Sequence, residues 1–499
     1  DLRNINYFLD GLKSKECVVD AKTKAHYEGL GKWFRALFYF DKLTTYGEVP
    51  WFDKELQNYE LDLMYKNRDS RDVIVKNMIA DLDFAYANIQ TTSSVGSSLV
   101  TKWAAAGLKS RICLFEASFR KYHGIKGELT PDYLFEQAAA AAQLVMDGSG
   151  HSLNTAKGTR GAYRDLFTSN TLLTNEVILG VNANADSGIF GNQNWRFNSA
   201  SYGNGYCPTR AFVYTFLMKD GTPFTAKANY STTPFADEFK NRDERLAQMV
   251  RHPEYKLDGK TAVGDIVTSV AVTGYHMIKF CVDKDILETR NPNGVPLMRY
   301  AEILLNYAEA KAELGTLTDA DVAATIDLIR ARVGMPAMKT VPVTADPLME
   351  KYYPNAKGTQ KAAILEIRRE RTVELCFEGF RQWDLLRWKE GKWLTPAATT
   401  GFQGIYIPAL GEYDLDKDGK MDICVYQGTK PATTAPASNV IEIGKNWTLT
   451  EGTKGNLTYY ASENYKWDEG KDYLWPIPED QRQITNGALS QNPGWTDAL

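Results

Sequence analysis

Apolar residues recur at three- and four-residue intervals after Arg299: Tyr300, Ile303, Leu304, Tyr307, Ala308, Ala312 and Leu314 share one broad face of an expected α-helix. Gly315 is placed to end that helix in the left-handed conformation, and Thr318 with Asp321 has capping-box spacing for a second helix. There Val322, Ile326, Ile329 and Val333 keep the same period until Gly334 and Pro336 stop it. The hairpin is close to the period of a tetratricopeptide repeat, about 34 residues. Such a unit cannot bury its apolar face alone, so stacked neighbours are expected.

The same period marks helices near 20–46, 70–90, 101–122 and 131–146. In the first of these, Tyr27, Leu30, Phe34, Leu37, Phe38 and Phe40 are expected on the core side. Residues 359–392 read as one long helix, in which Glu378, Arg381, Asp384 and Arg387 form a structural ladder of alternating charge. Between these blocks the pattern changes. The helical period fades over 148–298 in favour of Asn, Gly, Thr and aromatic residues, and an irregular stretch of that length commonly carries function. From 394 to 499 short β-prone pieces such as GIYIPAL and DICVYQG predict local hairpins. The chain thus reads as one unit over 1–499. Its parts are a helical repeat region (1–147), an irregular insertion (148–298), further helical repeat (299–393) and a loop and hairpin region (394–499).

Composition narrows the function classes. With 58 basic and 62 acidic side chains the net charge is −4, and no Lys/Arg-rich groove is visible, so nucleic acid is not an expected partner. The six cysteines are far apart and include no CxxC, which predicts free thiols rather than a zinc or redox site. No apolar run reaches the ~18 residues of a membrane span. Leu2, Ile5, Leu9 and Leu12 already follow a helical stripe with no initiating Met, so residue 1 is expected to lie within a longer precursor. Five histidines without HExxH, and no GxSxG or phosphate-cradling glycine loop, argue against catalysis. A helical glycoside hydrolase remains the enzymatic alternative, because its carboxylate pair leaves no sequence signature.

Four blocks, YFDKLTTYGEVPWFDKEL, RYAEILLNYAEAKAELG with IRARVGMP, RRERTVELCFEGFRQWDLLRWKEG, and LWPIPEDQ followed by QNPGW, occur in an order that resembles the SusD/RagB family. The resemblance implies a mainly α fold of about four tetratricopeptide-type helix pairs with a loop-rich second part and small β-hairpins. It also implies a lipoprotein on the outer face of the outer membrane that captures glycans for a SusC-like TonB-dependent transporter. Contact with the membrane would be made only through an N-terminal lipid anchor that this chain does not contain. A peptide-capturing relative in the RagB manner, or a repeat scaffold for protein partners, are the other readings.

Two stretches carry candidate binding chemistry. Pyranose rings need flat apolar platforms beside amides and hydroxyls, and Asn194, Trp195, Tyr202 and Tyr206 form the densest such cluster of the insertion, with Trp51 in an earlier loop. The alternative is that these rings only pin loops to helices. In EYDLDKDGKMDICVY, Asp414, Asp416, Asp418 and Asp422 fit oxygen-ligand positions of a calcium loop, with Lys420 able to offer its carbonyl. Val425 stands where that loop needs a bidentate Glu, so an Asp/Gly-rich hairpin turn is the competing reading.

Overall fold

A computed structural model describes residues 1–91, 96–184, 186–199, 206–258, 260, 268, 270–284, 290–395, 402–459 and 465–497. Helix α1 (Leu2–Lys13) packs on α2 (Ala21–Tyr46), which pairs with α3 (Arg71–Asn88); α4 (Lys102–His123) pairs with α5 (Pro131–Gly148). Side chains start these helices: Asp20, Ser70, Thr101 and Thr130 each accept a bond from a backbone N–H of the first turn.

The stripe expected on α2 is buried only in part: Phe40 is in the core and Leu30 and Phe38 pack against it, but the rest is offset from the buried face. Tyr27, Phe34 and Leu37 are 46%, 48% and 36% exposed, whereas Trp33, Ala36, Tyr39, Phe40 and Leu43 face the core. Aromatics occupy both sides of this helix. The winning side also carries Arg35, which hydrophobicity alone would place outside but which donates to both oxygens of buried Asp81 at 2.7 and 2.8 Å.

After α6 (Ala162–Thr168), strand β1 (Val177–Val181) and α7 (Arg210–Thr215), strand β2 (Val295–Arg299) pairs antiparallel with β1 and leads into α8 (Tyr300–Glu313), which packs on α5. Gly315 adopts φ +74°, and Thr318 with Asp321 makes both bonds of the capping box. The second helix of the hairpin is broken. Thr325, at φ −130° and ψ −84°, separates α9 (Asp319–Ala324) from α10 (Ile326–Arg332), and its hydroxyl donates to Asp321 O at 2.6 Å.

Beyond α11 (Pro347–Tyr352) the expected long helix is also two: α12 (Lys361–Glu374), which packs on α8, and α13 (Phe380–Arg387), which packs on α4. Between them Phe377 and Gly379 take positive φ values of 59° and 89°, which a continuing helix cannot accommodate.

The apolar interior has two centres. One runs through the helix pairs, from Trp33 and Ile74 through Leu108 and Ile303 to Ile364. The other joins the 148–298 and 394–499 regions around Tyr163, Phe216, Met249, Tyr275, Ile407, Val425 and Leu457, so the insertion is a packed layer. Its strands are not all local hairpins. β3 (Tyr406–Ile407) pairs with β8 (Gly455–Thr458), which also pairs with β7 (Thr448–Leu449). β5 (Ile423–Tyr426) pairs antiparallel with β4 (Gly411–Tyr413) and parallel with β6 (Val440–Glu442). None of the six cysteines is joined in a disulfide, and among the described residues no helix is long and apolar enough to cross a membrane.

One buried carboxylate carries a pH prediction. Glu390 is 0% exposed, and only its Oε1 has a hydrogen-bond partner, Asn355 N at 2.9 Å; Oε2 has none among the described residues. Burial lifts its pKa to about 7 despite that bond and nearby Arg368. The folded chain therefore keeps a proton that the unfolded chain releases near pH 4, and stability falls as pH rises towards 7. Glu390→Gln is expected to stabilise the protein at pH 8 by on the order of 1–2 kcal/mol and to be near neutral at pH 4. Urea unfolding at the two pH values checks this, and an equal effect at both would contradict it.

Candidate functional site

A cleft of about 680 Å³, within the range of small-molecule sites (roughly 300–1,000 Å³), opens among the described residues. Its walls come from distant parts of the chain: α7, Tyr230, α11, the corner between α12 and α13, Trp393, and the strand-bearing region at Phe402, Gln403 and Asn456. Local chemistry explains each placement. Thr209 caps α7 by accepting from Phe212 N at 3.2 Å, and Arg210 N donates to Gln403 O at 2.6 Å, which ties that helix to the opposite wall. Asp346 caps α11 by accepting from Leu348 N at 2.7 Å and also receives the Arg369 guanidinium.

The corner between α12 and α13 is held from behind by buried charge. Glu378 accepts from Lys279 Nζ at 2.7 Å and from Arg299 Nε at 2.7 Å. One turn earlier, Glu374 accepts from Arg299 Nη1 at 2.6 Å, from Arg332 Nη2 at 2.5 and 2.6 Å, and from Arg245 Nη1 at 3.1 Å. Burial alone would raise the Glu374 carboxyl; the guanidinia of Arg332, Arg299 and Arg245 outweigh it and hold the group well below the usual carboxylate range. The expected charge ladder is only partly realised. Asp384 does pair with Arg387 at 2.8 Å, but Glu378 turns back into the protein, and Arg381 has no carboxylate partner among the described residues.

Aromatic rings dominate the walls. Tyr352 and Trp393 meet edge to face at 4.7 Å, Tyr214 and Tyr230 at 5.3 Å, and Phe377 and Phe402 add half-buried faces. Polar groups are interspersed. Gln403 Oε1 accepts from Asn456 Nδ2 at 2.7 Å, Gln382 is exposed, and Arg381 Nη1 donates to Tyr353 Oη at 2.9 Å and Thr372 Oγ1 at 3.1 Å. Trp393 Nε1 and Asn456 Oδ1 are buried in the walls with no hydrogen-bond partner among the described residues. An unsatisfied donor and an unsatisfied acceptor beside a cleft are groups that a bound hydroxyl or an ordered water satisfies.

The residues chosen from sequence do not form this cleft. Asn194 is fully buried, and its amide is consumed internally: Nδ2 donates to Val282 O and Lys284 O, while Oδ1 accepts from Val282 N and Asn291 Nδ2. It holds the loop together and cannot reach a sugar. Trp51 is 9% exposed and stacks on Tyr39 at 4.1 Å, so it belongs to the helical core. Trp195 is half-buried in a short helix, Gln193–Asn198. Tyr202 lies outside the described residues. Tyr206 is 45% exposed and leans on Phe197 at 6.0 Å, and Phe197 meets cleft residue Phe377 at 6.0 Å. Tyr206 also precedes Cys207 on the cleft wall, so the favoured segment abuts the cleft. Sequence reading missed Tyr214, Tyr230, Tyr352, Phe377, Arg381 and Trp393, which only the fold brings together; in the sequence Arg381 stands as a paired rung of the charge ladder, so no local signal marked it.

Of the calcium-loop positions, Asp414, Asp416 and Asp422 each present an oxygen within 4.8 Å of the others, in the connection between β4 and β5. Asp418 turns to its own loop, accepting from Lys420 N at 2.9 Å and meeting Lys420 Nζ at 3.1 Å. Val425 is in β5 with its side chain buried, so no ligand comes from that position. Burial and the facing Asp422 carboxylate lift Asp416 to about 6. Such crowding of like charge is what a cation relieves.

A profile of the SusD family matches residues 172–495. A SusD-like protein P38 from Formosa agariphila is 24% identical over 368 residues, covering 71% of this chain; the chain spans 64% of that relative's length. The fold resembles a SusD-like protein from Bacteroides fragilis with a TM-score of 0.68 at 22% identity, over 99% of this chain and 84% of that one. A SusD-like carbohydrate binding protein from the same species gives 0.66 at 21% identity, over 96% and 83%. A laminarin binding SusD-like protein gives 0.52 at 16%, over 99% and 84%.

Proposed function

Because the chain belongs to the SusD family, we propose that it is a non-catalytic, cell-surface glycan-binding subunit that captures oligosaccharides in the aromatic cleft. In this reading it sits on the outer membrane as a lipoprotein and hands its ligand to a SusC-like TonB-dependent transporter. The observation that carries the proposal is the composition of the cleft. Half-buried rings of Tyr214, Tyr230, Trp393 and Phe377 stand beside amides and unsatisfied polar atoms, the mixture that pyranose C–H faces and hydroxyls require. Two relatives of this fold are described as carbohydrate binding and laminarin binding, which favours the same class of ligand.

The carboxylates of the described wall also favour binding over hydrolysis. Glycosidases need two carboxyl groups flanking the scissile bond. Asp384 is the sole carboxylate on the described wall, and Arg371 and Arg387 both hold it at 2.8 Å. The protein is expected to bind members of a polysaccharide panel in affinity electrophoresis and to release no reducing ends from them. Reducing-end release by a homogeneous preparation, or retention of peptides but no glycan, would overturn this reading.

We also propose that the 414–422 loop binds calcium through Asp414, Asp416 and Asp422, with water or backbone carbonyls completing the shell. A ligand that binds only the folded state raises stability by mass action. Millimolar calcium is therefore expected to raise the melting temperature of chelator-treated protein, and Asp416→Asn to remove most of the rise. A melting curve indifferent to calcium would leave the loop as a turn.

A further inference from the structure

We propose, on the premise that the cleft is the glycan site, that it selects acidic saccharides, chains bearing carboxylates or sulfates, and that Arg381 and Lys351 are the groups that bind the anion. The starting point is how cations are paired in this molecule. The chain is acidic overall, at −4, and the other two cations of the described wall are neutralised: Arg210 meets Glu238 at 3.1 Å, and Arg371 meets Asp384 at 2.8 Å. Arg381 and Lys351 line the same cleft without a carboxylate partner among the described residues.

An exposed lysine alone would carry little, since such side chains are commonly solvated. Arg381 is different in kind. It is half-buried, and its guanidinium is oriented by neutral acceptors, Tyr353 Oη at 2.9 Å and Thr372 Oγ1 at 3.1 Å, and lies 5.6 Å from the centre of the Tyr353 ring. These contacts fix its direction and leave its charge uncompensated.

The backbone accounts for that isolation. On an unbroken helix Glu378 would lie one turn before Arg381 and pair with it. The left-handed residues Phe377 and Gly379 instead turn Glu378 inward to Lys279 and Arg299. On the other side Asp384 is taken by Arg371 and Arg387. A partly desolvated guanidinium with a fixed fork is the group best suited to a carboxylate or sulfate, because the anion restores the interaction that burial removes. Neutral sugars offer no such gain.

The test uses matched pairs: oligogalacturonate and alginate oligosaccharides against their carboxyl-reduced forms, and chondroitin sulfate oligosaccharides against desulfated ones. Each pair is titrated calorimetrically into wild type, Arg381→Gln and Lys351→Gln. The acidic member of at least one pair is expected to bind at least about tenfold more tightly than its neutral counterpart, the scale of one charge-assisted hydrogen bond. Arg381→Gln is expected to abolish that preference, and about 0.5 M NaCl to weaken it. Equal affinity for both members of a pair, unchanged in Arg381→Gln but lost in Trp393→Ala, would overturn the charge assignment and leave the cleft as a neutral-glycan site. Failure to bind any member, acidic or neutral, would overturn the glycan reading and this inference with it.

Discussion

Glu374→Ala is expected to lower the unfolding free energy by about 3–5 kcal/mol, because it strips the shared acceptor from three buried guanidinia. The three do not suffer equally. Arg245 keeps Asp243 and Glu370, and Arg299 keeps Glu378 and Glu176, all at 2.6–3.0 Å. Among the described residues Arg332 retains one carboxylate, Glu176, at 3.3 and 3.4 Å, and its Nε already lacks a partner there. Most of the cost therefore falls on Arg332, whose desolvation is then barely offset.

The pH dependence has a definite sign. The folded-state pKa of Glu374 is depressed, so its contribution is fully present above the unfolded value near pH 4 and is lost as pH falls through the lower folded value. The gap between wild type and variant should thus be constant from pH 5 to 8 and shrink in stronger acid. Urea unfolding followed by circular dichroism measures it; guanidinium salts would screen the network under test. A loss below about 1 kcal/mol at pH 7 would mean that the surrounding carboxylates take over the role of Glu374.

That network also shows where sequence reading stops. Periodicity located α8, its glycine stop and the capping box of α9, because these depend on residues within a few positions of one another. It ran α12 and α13 together, since Glu378 looks helical locally and is pulled out of line by Lys279 and Arg299, 99 and 79 residues away. Arg35 on α2 is the same lesson on a smaller scale: its partner Asp81 is 46 residues distant, so its burial has no local signal.

The candidate site was legible in composition but not in position. Aromatics among Asn and Gly marked the insertion as a binding region, yet residues adjacent in sequence were favoured as the platform. The cleft is assembled instead from Tyr214, Tyr230, Tyr352, Phe377 and Trp393, contributed by segments that tertiary packing alone makes neighbours. Asn194 shows the converse. A polar side chain in a polar loop resembles a ligand contact until its hydrogen bonds are traced, and all of them close within the loop and its neighbours.

Trp393→Ala is expected to weaken binding of the cognate oligosaccharide by about ten- to hundredfold, or about 1–3 kcal/mol, while Trp195→Ala leaves it within about twofold. Trp393 lies on the cleft wall, is braced edge-on by Tyr352 at 4.7 Å, and carries an indole N–H without a partner among the described residues. Because Tyr352 is buried and its hydroxyl donates to Ala211 O at 3.3 Å, the indole is held by a fixed support and loses little entropy when a ligand stacks on it. Trp393→Phe separates the two contributions: it keeps an apolar face but removes the N–H, so an intermediate loss is expected. Thermal melts of each variant guard against global unfolding, since Trp393 also packs on the helical core. If Trp393→Ala binds as wild type does and Trp195→Ala does not, the platform is the segment around Trp195 and Tyr206 rather than the cleft.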